Sequence, residues 1–162
     1  MSAIARTFES FAEGLRVSYE EEVSGEAFFA ELAEHQTPAN RHILLIFADM
    51  EQITSTSIKY LLKKHNIDVS SETELRRDGI AEARKVSSSD WAFLVASMIE
   101  DYPSYIEEFR SLKRLAPVAD RNAINVLIEH EQAMLDFAIL HEQGASDSTE
   151  PLVQFVTRHR RS

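Results

Sequence analysis

Ile4, Phe8, Phe11, Leu15, Tyr19, Val23 and Ala27 recur at helical spacing, and Ala30 extends the stripe. Apolar residues returning every three or four positions occupy one face of an α-helix, so the pattern predicts a first helix over 3–35. Thr37 then offers a capping hydroxyl, and Pro38 suits the first turn of a second helix reaching Lys64. After a long connection, Ser71 and Glu74 have capping-box spacing and predict a short helix over 72–85. The run Ser87 to Ser89 with Asp90 starts a third long helix, ending near Leu115 before Pro117. A fourth follows over 119–143 with Gly144 as its C-cap, and Asp147 to Pro151 opens a short terminal helix over about 149–159 that carries Leu152, Val153, Phe155 and Val156.

The fold class expected is therefore all-α: an antiparallel four-helix bundle in one domain, 1–162. Its parts are a helical hairpin (3–64), a helix-containing crossover (65–88), a second hairpin (89–143) and the terminal helix. With only four glycines and four prolines among 162 residues, little in the chain interrupts this reading.

Zero cysteines exclude a disulfide framework, a thiolate zinc site, an iron–sulfur cluster and thiol catalysis. The longest apolar run, Ile43 to Ala48, is too short to cross a bilayer, and no basic segment followed by an apolar one opens the chain. A cytoplasmic protein with no membrane partner is expected. A net charge of −10 argues against nucleic acid as a partner, since that affinity comes from neutralising phosphates with Lys and Arg. The one basic cluster, Arg158 to Arg161, reads as a solvated tail.

Candidate chemistry enters through four glutamates. Glu22 and Glu51 lie equally far from the turn at His35 to Pro38, and Glu100 and Glu131 equally far from the turn at Arg114 to Pro117. Equal distance from the turn of an antiparallel hairpin means equal height. Each glutamate is about 14 residues from its turn, roughly 21 Å along the helix, so all four carboxylates are expected near the middle, where carboxylate-bridged di-metal bundles keep their site.

The stretch Glu22 to Ala33, followed by Ile46-Phe-Ala-Asp-Met-Glu51, resembles the first hairpin of the rubrerythrin-like branch of the ferritin-like superfamily. Glu22 precedes Phe29 as the family's first-helix glutamate precedes an aromatic, and Glu51 matches the start of its Glu-x-x-His. Glu100 and Glu131 match the third- and fourth-helix glutamates, although Pro103 disturbs the aromatic pattern beside Glu100. The resemblance implies a ferritin-like bundle that pairs as a homodimer, with Glu22, Glu51, Glu100 and Glu131 as metal ligands and redox or oxygen chemistry on an unidentified small molecule if iron is held. The chain departs from the family at both histidines. Thr54 and Met134 stand in their places, and without cysteines there is no rubredoxin-like domain.

A threonine offers at most a weak neutral oxygen and a methionine a soft thioether, so the cofactor expected is iron held weakly, another divalent metal (Mn, Mg, Ca or Zn), or none. The alternative is a metal-free bundle serving as a binding or assembly module. His130, beside Glu131, is either a replacement metal ligand or a boundary histidine packed by Leu127 and Met134. His141 with Glu142, and Glu26, are lesser candidates. His35 and His65 read as helix-end residues, and Tyr102 or Tyr105 as core aromatics or the lining of a pocket.

Overall fold

Ser10 stops the first helix well short of its expected start. In the computed structural model, which describes residues 4–87 and 90–160, Ser10 is extended and its hydroxyl accepts a hydrogen bond from the Glu13 N–H at 3.1 Å, so α1 (Phe11–Ala33) begins there. The apolar stripe nevertheless runs on through residues 4–10, which leave the helix as a strap. Phe8 is buried, whereas Ile4 is exposed. Periodicity alone does not separate a helix from a strap that packs with the same spacing.

The other elements match the sequence pattern closely: α2 (Pro38–Lys64), α3 (Glu72–Val86), α4 (Trp91–Leu115), α5 (Arg121–Glu142) and α6 (Glu150–His159). Thr37 and Ser71 cap α2 and α3 as expected. Gly144, at φ +74, follows the Gln143 C-cap of α5. The described residues are all-helical, with six α-helices and no strand. Ser88, Ser89 and Arg161 of the sequence reading lie outside the described residues. No described helix is long and apolar enough to cross a membrane.

The hairpins α1–α2 and α4–α5 meet mainly through α2 and α5, while α1 touches α4 only sparsely. One core joins them, with Phe47 packed edge-on against both Phe29 and Phe137. α3 lies along α1 at very short range: a Cβ on Gly79 would stand 2.1 Å from the Ser24 carbonyl oxygen. α6 packs across α2 and α5, burying Leu152 and Phe155.

Two expectations about the helix ends change. His65 is not a bare end residue. Its Nε2 lies 2.7 Å from an oxygen of buried Asp120, which also takes Lys64, tying the end of α2 to the start of α5. The basic tail is partly engaged, since Arg160 pairs with Asp49 of α2 at 2.7 Å and Arg158 lies 3.7 Å from Glu129 of α5. All these arginine pairs are exposed and contribute little each.

Candidate metal centre

Glu22 comes from α1, Glu51 from α2, and His130 with Glu131 from α5. All four are buried, at 3, 7, 0 and 8% exposure. Gly25, one turn beyond Glu22, makes the room: a Cβ there would stand 3.0 Å from Oε2 of Glu51, so the carboxylate occupies space that any other residue would fill. On the opposite side Phe155 of α6 packs against the His130 ring at 6.1 Å between centroids.

His130 Nε2 lies 3.2 Å from Glu51 Oε1 and 3.6 Å from Glu22 Oε2. One ligand atom from each of Glu22, Glu51 and His130 falls within 4.8 Å of the other two. Donors that share a cation at about 2.1 to 2.3 Å stand up to roughly 4.6 Å apart when they face each other across it, so little adjustment would seat an ion among these three. Glu131 stands outside that group but lines the same cleft. Oε2 of Glu22 and Oε2 of Glu131 are buried without a hydrogen-bond partner. Buried carboxylate oxygens without a donor are costly, and either a cation or protons must relieve them.

The electrostatics carry the same message. Burial, the nearby charge of Glu51 and the chance to share a proton with it push the Glu22 carboxyl well above the usual range. Burial, only partly offset by His130 and reinforced by Glu51, pushes Glu131 up to about 8. Burial alone would lower His130, but the charge and hydrogen bond of Glu51, with the charge of Glu131, raise it to about 9. In the metal-free protein the folded state thus binds protons more tightly than the unfolded chain at each of these groups. Below about pH 4.5 the Glu131 contribution is complete, and it is lost as pH rises through 8; that of His130 is complete below about 6.5 and lost through 9. Melting temperature in a chelator should therefore fall from about pH 5 to 9, with Glu131→Gln flattening the slope; a melting temperature that climbs over this range would contradict the geometry.

α4 contributes differently from expectation. Glu100 is exposed on α4 and stands apart from the group, so the four glutamates do not all converge. The second turn is also longer than the sequence suggests. A 3₁₀ turn over Val118–Asp120 lies between α4 and α5 and lengthens the connection beyond the Arg114 to Pro117 turn used to set the heights. The residues that α4 does turn to the cleft are Tyr102, Tyr105, Glu108 and Phe109, in a space of about 460 Å³ shared with Glu22, Glu51 and Glu131. Burial, then the charges of Glu131 and Glu51, hold the Tyr102 phenol well above its ordinary range, so it stays a neutral donor.

The strap covers this cleft. Arg6 spans Glu21 of α1 at 2.7 Å and buried Glu108 of α4 at 2.9 Å, and its backbone N–H also donates to Glu108 at 2.8 Å. Sequence reading missed Arg6, Glu21, Gly25 and Glu108. Glu107 and Glu108 both lie between the apolar Ile106 and Phe109, so the sequence held no signal to single out the buried Glu108.

Thr54 is fully buried, and its hydroxyl donates to the Met50 carbonyl at 2.8 Å, which commits its proton to its own helix. Met134 is a core residue. Glu26 pairs with Arg76 of α3 at 3.0 Å, and His141 Nε2 accepts the Trp91 indole N–H at 2.9 Å, so both have structural partners away from the group. Glu142 is exposed.

No protein family, curated protein or solved structure matches this chain. The site's meaning rests on its geometry.

Proposed function

We propose that this chain is a metal-binding helical bundle of ferritin-like, rubrerythrin-like lineage, in which Glu22, Glu51 and His130 hold one divalent cation and Glu131 completes or balances the site. The observation that carries the reading is the burial of these three side chains, from three helices, with donor atoms inside 4.8 Å. Without a cation, three carboxylates crowd one imidazole in a region with few donors. A divalent ion offsets most of that charge.

The position of the nitrogen is what distinguishes this arrangement from the family pattern. It comes from the residue before Glu131 rather than from the third residue after it, and it is single. One nitrogen supports one well-held metal better than two, so a mononuclear centre is favoured over a bridged pair. A mixed nitrogen and carboxylate set also suits Mn(II), Fe(II) or Zn(II) better than Ca(II) or Mg(II), which prefer oxygen alone. A redox-active ion there would supply electron transfer to a small oxidant, and a redox-inert one Lewis acidity. The chain's own residues would set the conditions: Phe155 packs on the His130 ring, Tyr102 offers a phenolic proton in the cleft, and Arg6 pairs with Glu21 and Glu108 and offsets half of their charge.

A second reading has its own support. Because His130 and Glu131 hold protons to about 9 and 8, protons alone can neutralise the group, leaving a metal-free bundle with a buried polar centre that serves as a binding or assembly module. Competition titrations separate the two. The metal reading predicts that Mn(II) or Zn(II) displaces Ca(II) at equal concentration and that binding strengthens with pH as protons leave; equal, weak binding of all three at every pH would favour the metal-free module.

A further inference from the structure

Beside the carboxylate cleft, α1, α2 and α4 leave a second space. α1 packs extensively on α2 and α3 but sparsely on α4, and between them lies a half-open pocket of about 150 Å³. Its walls include Phe28 and Phe29 from α1, Phe47 from α2, and Trp91, Met98 and Tyr102 from α4. Phe28, Phe29 and Tyr102 also line the cleft that holds Glu22, Glu51 and Glu131, so the two spaces share a wall.

The lining sets the chemistry of an occupant. The Trp91 indole N–H is already given to His141, which leaves its ring as an apolar surface. Ser97, Asp101 and Tyr102 are the other residues of the lining with polar side-chain groups. The pocket is half open to solvent, and a lining so apolar gives water there few partners, so an apolar ring would displace it. The volume fits one aromatic ring and is far too small for a helix or strand of a partner. A negative charge is unwelcome, since Asp101 lies in the lining and three carboxylates lie beyond the shared wall.

We propose that this cavity binds a small, uncharged, single-ring aromatic molecule between Phe28, Phe29 and Trp91, with any hydroxyl turned to Tyr102 and Asp101 beside the carboxylate centre. That the molecule is a substrate of the centre rests on the metal reading above; that a ring binds does not.

The test uses the metal-free full chain, so that failure here and failure to bind metal are separate results. Phenol and toluene are titrated while the Met98 methyl and the Trp91 indole, the chain's one tryptophan, are followed by NMR. Saturable shifts confined to these two and their neighbours are expected for both probes, and none for benzoate at the same concentration. Val95→Phe, which fills the space from α4, should weaken phenol binding at least tenfold without changing cation uptake. If that variant does not fold, Leu94→Phe at the same lining makes the same demand. No saturable shift in the parent, equal binding of benzoate, or phenol binding that survives the filling substitution would each overturn the proposal.

Discussion

Glu51→Gln is expected to lower divalent-cation affinity at least about 100-fold, equivalent to roughly 2.7 kcal/mol, while making the metal-free protein more stable at alkaline pH. The amide keeps the size of the side chain, so the space that Gly25 leaves for it stays filled. What disappears is the charge. A neutral oxygen is a much weaker partner for a divalent ion than a carboxylate, and Glu51 is the residue nearest His130 Nε2, at 3.2 Å. The same charge raises both Glu22 and Glu131, so its removal relieves repulsion as rising pH takes protons from the group. Opposite signs for binding and stability mark a group kept for function rather than for folding. Mn(II) titration and thermal melts near pH 9, with and without chelator, measure both; affinity unchanged within threefold would remove Glu51 from the site.

Gly79→Ala is expected to cost about 3 kcal/mol or more, a fall of roughly 6 to 12 °C in melting temperature for a domain of this size. The added Cβ would lie 2.1 Å from the Ser24 carbonyl oxygen and 3.2 Å from the Phe28 backbone nitrogen. Both contacts are with the backbone of α1, so no side-chain rotation relieves them and α3 must move away. The gain in helix propensity from glycine to alanine, about 1 kcal/mol, is too small to offset this. Because Ser24 follows Glu22 closely on α1, cation affinity should also weaken. Denaturant melts of parent and variant check the prediction, and an unchanged or raised midpoint would mean that the two helices are not held this close.

The helices were legible because their signals are local. Thr37 with Pro38, Ser71 with Glu74 and the glycine at 144 act through one turn of backbone, and the elements begin and end within a few residues of the positions they mark. The start of α1 was not, because Phe8 packs on the core from a strap whose spacing imitates a helix. In the site, Glu22 and Glu51 were legible through the symmetry of the first hairpin, whose short turn preserves it. Glu100, placed by the same argument in the second hairpin, is exposed, and the turn of that hairpin includes a 3₁₀ segment over Val118–Asp120 that the sequence did not announce. Whether His130 reaches the carboxylates of another hairpin depends on how α5 is rotated against α2, and that is a tertiary quantity. Arg6 and Glu108 are separated by most of the chain, and no local pattern links them.

Glu22, Glu51 and His130 are proposed to hold one divalent ion. Equilibrium dialysis of the chelator-treated protein against Mn(II), followed by elemental analysis of metal and protein together, measures it directly. One Mn(II) per chain is expected at saturation in the parent, and essentially none in a Glu22→Gln, His130→Leu double variant that retains its helical content. No stoichiometric uptake by the parent, or uptake that survives the double substitution, would contradict it.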